Sequence, residues 1–215
     1  MRTLFAALVA PPNCSGCGTP GIAWCAACAA ITACPSWHQL GFRVRADFEF
    51  AGPVRRTIID WKDEHRTDAR TRVVRWFAEG LGALLEQQAN AVLVPVPASP
   101  RSLRRRGEGV LARAVCDAMP YAEVRQWLRP ARNRDDQSRL GRLDRAANVA
   151  SSMQWIGPTD RPIIIVDDIL TTGATLRESA RAMRDAGAVP EIGFVIAHRV
   201  RRGSVAGPAA GLRLS

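Results

Sequence analysis

The chain has 215 residues, 47% of them hydrophobic and 23% charged, which allows one ordinary domain with its own core plus a small appendage and excludes both two full enzymatic domains and global disorder. No apolar run reaches the ~18 residues of a membrane helix, and Leu4 to Ala10 is cut short by Pro11-Pro12. The formal net charge of +10 points to polyanionic partners such as nucleic acid, nucleotides or phosphorylated sugars. All the Lys and Arg residues are Arg except Lys62; Arg together with abundant Ala is also what a GC-rich genome produces, so charge alone assigns no function.

Residues 1–45 carry no acidic side chain and are rich in Cys, Pro, Gly and Ala. Four of the six cysteines stand as Cys14-Ser-Gly-Cys17 and Cys25-Ala-Ala-Cys28. Two such pairs can each clasp one edge of a tetrahedral metal, with sulfurs about 2.3 Å from the ion. The alternative is two disulfides. With no convincing export leader a reducing, cytoplasmic compartment is expected, and that favours structural Zn²⁺ over disulfides. Four thiolates close the shell, so this metal would hold a zinc-ribbon-like module together and leave catalysis elsewhere. Cys34 could substitute as a ligand, and Cys116 reads as a small core residue.

Residues 46–200 alternate helical patterns with short apolar runs, the signature of an α/β fold with a parallel sheet flanked by helices. Helical spacing runs through Val54–Trp61 and 69–88. Residues 91–97 read as a buried strand ended by prolines. A helix over 109–119, strands near 124–128 and 153–156, a central strand at 163–166, a helix over 175–186 and a strand at 192–197 follow. Residues 129–145 hold six Arg and three Asp and are expected to form a lid. The tail, 201–215, is expected to be disordered.

The chemistry is concentrated in Ile163-Ile-Ile-Val-Asp167-Asp168-Ile-Leu-Thr171-Thr172-Gly173-Ala174-Thr175. A helix N-terminus offers unpaired N–H groups and a positive dipole end, Gly173 permits close approach, and the threonines add hydroxyl donors, which together make a phosphate cradle. Asp167 and Asp168 at the strand's carboxyl end can accept hydrogen bonds from vicinal sugar hydroxyls. Ribose 5-phosphate suits both ends.

This segment resembles the sugar-binding motif of the type I phosphoribosyltransferase superfamily, D-D-x-x-x-T-G-x-T, across residues 167 to 175. The resemblance implies that Asp167 and Asp168 contact the 2- and 3-hydroxyls of phosphoribosyl pyrophosphate and that Thr171, Thr172, Gly173, Ala174 and Thr175 hold its 5-phosphate. The cysteine quartet after Pro11-Pro12, the strand end Val94-Pro-Val-Pro97 with Arg101 and Arg106-Gly107 beyond it, and the run Arg132 to Asn148 are similar to the ComF family of competence-associated phosphoribosyltransferase-like proteins. That family has an aromatic, Asn and Gln after Arg-Gly, where this chain has Glu108-Gly109-Val110, so contacts made by that amide pair are not carried over.

The resemblance implies that Val96, Pro97, Ala98 and Ser99 form the loop beneath pyrophosphate, that Mg²⁺ bridges pyrophosphate to ribose, and that Arg132, Gln137, Arg139, Arg145 and Asn148 belong to a closing lid. It leaves three activities open: phosphoribosyl transfer to a nitrogen acceptor, a non-enzymatic role binding single-stranded DNA in DNA uptake through the Arg-rich stretches 101–106 and 129–145, or a regulator that senses the activated sugar. No residue declares itself as a base. His38, His65 and His198 lie in separate segments, and Trp24, Trp37 and Phe42 are candidates for a hood over the acceptor.

Overall fold

The computed structural model describes residues 13–63, 66–98, 109–131 and 152–200. In chain order the elements are α1 (Ala26–Ala29), β1 (Ser36–Gln39), β2 (Arg43–Glu49), α2 (Gly52–Asp63), α3 (Thr67–Leu85), β3 (Val92–Pro95), α4 (Val110–Ala118), β4 (Leu128–Pro130), β5 (Met153–Trp155), β6 (Ile163–Leu170), α5 (Ala174–Asp185) and β7 (Ile192–His198). The main sheet has the order β1-β2-β7-β6-β3. All its pairings are parallel except β1 with β2. β4 and β5 form a separate antiparallel pair.

Strands β3 and β7 and residues 163–166 of β6 form the buried part of the sheet, because their side chains are apolar on both faces and nearly all of them are buried. A strand buried on both faces needs cover on both. Helix α3 supplies part of it with Ala69, Val73, Trp76, Phe77, Leu81 and Leu84, whose spacing of three and four residues makes one apolar stripe. It packs on β7, α2 and α4, and α5 packs on β6 and β5. Phe77 joins three elements: its ring lies 6.5 Å from Trp61 of α2 and 6.2 Å from Phe194 of β7, and it is fully buried.

The expected helices and strands from residue 52 onward lie within a few residues of the observed elements. Residues 36–45 differ. The sequence reading assigned residues up to 45 to the cysteine module, yet β1 and β2 are strands of the main sheet, with β2 registered on β7 from Arg43↔Ile192 to Glu49↔His198. The physical reason is the period of two in Val44, Ala46 and Phe48, all buried, which gives β2 an apolar edge to lay against the sheet.

Replacing Phe77 by Ala should cost about 3–5 kcal/mol, because three elements lose a shared contact that neighbours cannot refill. Denaturant titration reads this as a lower midpoint, and a loss under 1 kcal/mol would mean the core is not organised around that ring.

Candidate functional site

β6 is longer than its neighbour. Its pairing with β3 ends at Pro95↔Val166, where the Val96 N–H makes a last bond to the Val166 carbonyl at 2.9 Å and the β3 chain leaves the sheet. β6 continues through Asp167 and Asp168 to Leu170, paired only with β7. The acidic pair therefore lies inside a strand, beyond the carboxyl end of the adjacent strand, which is where open α/β sheets expose a crevice.

Asp168 is buried and its carboxylate forms an ion pair with Lys62 near the end of α2. Asp167 is half-buried, and its Oδ1 accepts the Asp168 N–H at 2.8 Å. Burial and then the neighbouring Asp168 charge push the Asp167 carboxyl up to about 8, against the opposing pull of Lys62. Near neutral pH the two acids thus differ in character, one able to donate a proton into a hydrogen bond and one held beside an ammonium. Such a set suits vicinal hydroxyls, which both donate and accept.

After Leu170 the chain turns through Thr171 and Thr172, both exposed, into Gly173, where α5 begins. Gly173 has φ +76°, a left-handed conformation that favours glycine, and its Cα packs close to the Leu40 side chain. The Ala174 N–H bonds Thr172 Oγ1 at 3.3 Å, and Arg177 Nη1 holds the Thr172 carbonyl at 2.9 Å. That guanidinium engages the carbonyl dipole at the turn, leaving the helix start with positive character. The geometry offers an anion a turn of hydroxyls and the N-terminus of a 12-residue helix.

Val96 is buried and Pro97 and Ala98 are half-buried at the exit of β3. A cleft of about 670 Å³ opens beside them, lined also by Leu111, Arg113 and Cys116 of α4 and by Gln126 and Arg129. Ser99, the arginines from 101 to 106, and Arg132, Gln137, Arg139, Arg145 and Asn148 lie outside the described residues, as does the tail. Cys116, expected in the core, is exposed, because the buried face of α4 is Leu111, Ala114 and Val115 and position 116 falls off it.

His38 and His198, separate in sequence, are brought together with ring centroids 4.5 Å apart, and Ser36 Oγ lies 3.1 Å from His38 Nε2 and 3.4 Å from His198 Nδ1. Burial and then the His198 charge hold His38 below its ordinary value. Trp24 packs edge-on to Trp76 with Arg72 stacked over it, and Phe42 is buried, so both serve packing. Trp37 is exposed, with Arg43 over its ring.

The four sulfurs of Cys14, Cys17, Cys25 and Cys28 lie within 4.8 Å of one another, and none is in a disulfide. A tetrahedral ion with bonds of about 2.3 Å needs sulfurs about 3.8 Å apart, and Cys17 and Cys25 stand at 3.5 Å. The Gly18 N–H to Cys14 carbonyl and Cys14 N–H to Thr19 carbonyl bonds, both 2.8 Å, close the turn around the first pair. Gly16 is needed there, since a Cβ would come 2.6 Å from Cys28 Sγ. Burial raises the Cys14 thiol, but N–H groups of Cys17, Cys25 and Gly16 outweigh it and hold it down at about 6. Burial and the neighbouring sulfurs drive Cys28 upward. Crowded thiols of this kind suit a soft divalent cation, which removes their mutual repulsion.

Residues 144–207 match the family described as phosphoribosyl transferase domain, a stretch that includes the acidic pair, the threonine turn and α5. Curated relatives include the bifunctional protein PyrR of Haemophilus influenzae strains PittEE, PittGG and KW20/Rd, each 35% identical over 63 residues, 29% of this chain. The chain covers 35% of the length of these relatives. The molecule thus combines a segment that matches the phosphoribosyl transferase domain, a mostly parallel sheet flanked by helices and an N-terminal cysteine cluster. Among the described residues no helix is long and apolar enough to cross a membrane.

A carboxyl raised in the folded state costs stability as pH climbs from the unfolded value near 4 through about 8, because folding must keep the proton that the unfolded chain has released. Asp167→Asn should therefore melt above the parent at pH 8–9, by about 2–4 °C for each kcal/mol recovered, and the two should converge near pH 4. Scanning calorimetry across that range checks it; a variant less stable than the parent at pH 9 would show that the carboxylate is not strained.

Proposed function

We propose that the chain binds phosphoribosyl pyrophosphate at residues 167–175 and transfers its phosphoribosyl group to a nitrogen acceptor. The observation that carries this reading is the placement of two carboxylates beyond the end of β3, three residues ahead of a threonine turn that opens α5, in the segment that matches the phosphoribosyl transferase domain. Asp167 and Asp168 would take the ribose hydroxyls, and Thr171 to Thr175 the 5-phosphate. The exit of β3 at Val96 to Ala98 would lie beneath pyrophosphate, with Arg113 and Arg129 of the adjoining cleft supplying cationic donors.

In the transfer the anomeric C–O bond breaks, pyrophosphate leaves with the electron pair, and the acceptor nitrogen forms the new bond and gives up its proton to solvent. The binding segment holds the sugar by both ends so that the anomeric carbon is presented in one orientation. Among the described residues the only group of three or more His, Cys, Asp or Glu that could enclose a metal is the cysteine quartet. Mg²⁺ prefers oxygen ligands and keeps substrate phosphates in its shell, so it would arrive chelated by the ligand and contribute neutralisation of the leaving charge. The cysteine quartet is proposed to hold one structural Zn²⁺, with Cys14, Cys17, Cys25 and Cys28 as a closed shell and no open position for catalysis.

The double variant Asp167→Asn, Asp168→Asn should lower affinity for magnesium phosphoribosyl pyrophosphate by about 30-fold or more, given about 1.5–3 kcal/mol for the charged hydrogen bond of Asp168 and about 0.5–1.5 kcal/mol for the neutral one of Asp167. Calorimetric titration measures this; unchanged affinity sinks the ribose site. Pyrophosphate release on addition of nitrogen bases separates transfer from binding alone, and binding with no release from any of a panel of nucleobases would favour a sensor of the activated sugar. Metal analysis of reduced protein should find one zinc per chain, lost in Cys14→Ser, Cys17→Ser, while two disulfides and no metal would overturn the zinc assignment.

A further inference from the structure

Lys62 is the single lysine in a chain whose other basic side chains are all arginine. It is not at a random surface position. Helix α2 carries it to the acidic pair, where its ammonium contacts Asp168 Oδ2 with the lysine side chain 30% and the aspartate side chain 9% exposed. The helix itself is fixed at several points: Ile58 and Trp61 are buried in the core, and Thr57 Oγ1 donates to the Ser15 carbonyl at 3.2 Å. Asp60, one turn from Thr57, is paired with Arg66 at 3.2 Å. The ammonium is thus delivered from a helix anchored along its length, and the residue at its end meets β6 where β3 no longer covers it.

We propose that Lys62 is the positioning and charge-balancing residue of the sugar-binding carboxylates, a role that rests on the reading given above for residues 167–175. Two adjacent acids are a poor receptor for a ligand carrying several phosphate charges, since like charges in a poorly solvated crevice repel. Lys62 offsets one of them and fixes the rotamer of Asp168, so that its remaining lone pairs face the ribose hydroxyls. Among the described residues of the sheet no other cation is paired with Asp168: β3 has no ionisable side chain, on β2 Arg45 pairs with Asp47 and Arg43 lies over Trp37, and β7 has only His198, which registers with Leu170 and contacts His38 and Ser36. From α5 the nearest arginine to the turn, Arg177, is engaged with the Thr172 carbonyl. An ammonium also suits the place better than a guanidinium in one respect, because its three donors rotate about a single point and can serve Asp168 and a ligand oxygen together.

The test is titration of full-length protein with magnesium phosphoribosyl pyrophosphate for the parent, Lys62→Met and Lys62→Arg, with melting curves for each. The methionine variant keeps an unbranched apolar stem and removes the charge. Its affinity is expected to fall at least 10-fold with its melting temperature kept within a few degrees, and Lys62→Arg is expected to stay within about threefold of the parent. If Lys62→Met binds as the parent does, Lys62 has no part in the site. If Lys62→Arg is as weak as Lys62→Met, shape and not charge decides, and the charge-balancing role is overturned. A parent protein that does not bind the sugar phosphate at all removes the reading of residues 167–175 itself, which is a different failure from tight parental binding with an indifferent Lys62.

Discussion

The molecule depends on one mismatch of length. β6 outlasts β3 by four residues, and those four include both acids. Had β3 continued, its backbone would have paired with residues 167–170 and a further strand residue would have covered each aspartate. Because Val96 leaves the sheet at that point, β6 keeps one side hydrogen-bonded to β7 and presents the other to a crevice. The same event opens the cleft between the β3 exit and α4, which neither acid lines. A buried strand can tolerate carboxylates only where a crevice or a cation compensates them, and here both are present.

The cost of the arrangement is visible in the acids themselves. Asp167 is raised by burial and by its neighbour, and Asp168 is matched by an ion pair. Neither contributes to the packing of the core, which is made by Ile163 to Val166 lower in the same strand. Residues that are unfavourable for folding and opposed by a partner are a recurring mark of functional sites. The threonine turn shows the same division: Leu40 and Gly173 shape it by steric exclusion, and Thr171 and Thr172 stay exposed.

Much of this was legible in the residues. The central strand, α5 and the threonine turn follow from an apolar run, a carboxylate pair and a glycine at a helix start, and the cysteine spacing anticipated a cluster of sulfurs. Three things were not. Asp167 and Asp168 read as the end of a strand because polar residues usually mark one, whereas β6 continues by pairing with β7 alone. Residues 36–45 read as part of the cysteine module because the absence of acids up to Arg45 outweighed the alternation of Val44, Ala46 and Phe48. Lys62 carried one signal, its singularity among the basic residues, but only the path of α2 brings it to Asp168. The meeting of Ser36, His38 and His198 is likewise a product of sheet topology, since β1 and β7 are separated by β2 in space and by most of the chain in sequence.

Helix α2 ties the two special regions of the molecule to each other. At one place its Thr57 hydroxyl bonds the Ser15 carbonyl within the first cysteine turn, and its Asp60 meets Arg66, whose guanidinium also reaches the Asn13 carbonyl beside that turn. Close to its end Lys62 meets Asp168. The turn around Cys14 and the acidic pair are therefore both held by residues 57 to 62 of one 12-residue element. A helix of that length is marginal alone and draws its order from what it touches. The cysteine turn, by fixing the backbone carbonyls of Asn13 and Ser15, gives α2 polar anchors that the apolar contacts of Ile58 and Trp61 cannot supply, because apolar packing resists separation but sets rotation about the helix axis only loosely. Rotation is the coordinate that decides whether Lys62 meets Asp168 or points away from it, and so the turn at the start of the chain bears on the ion pair at the end of β6.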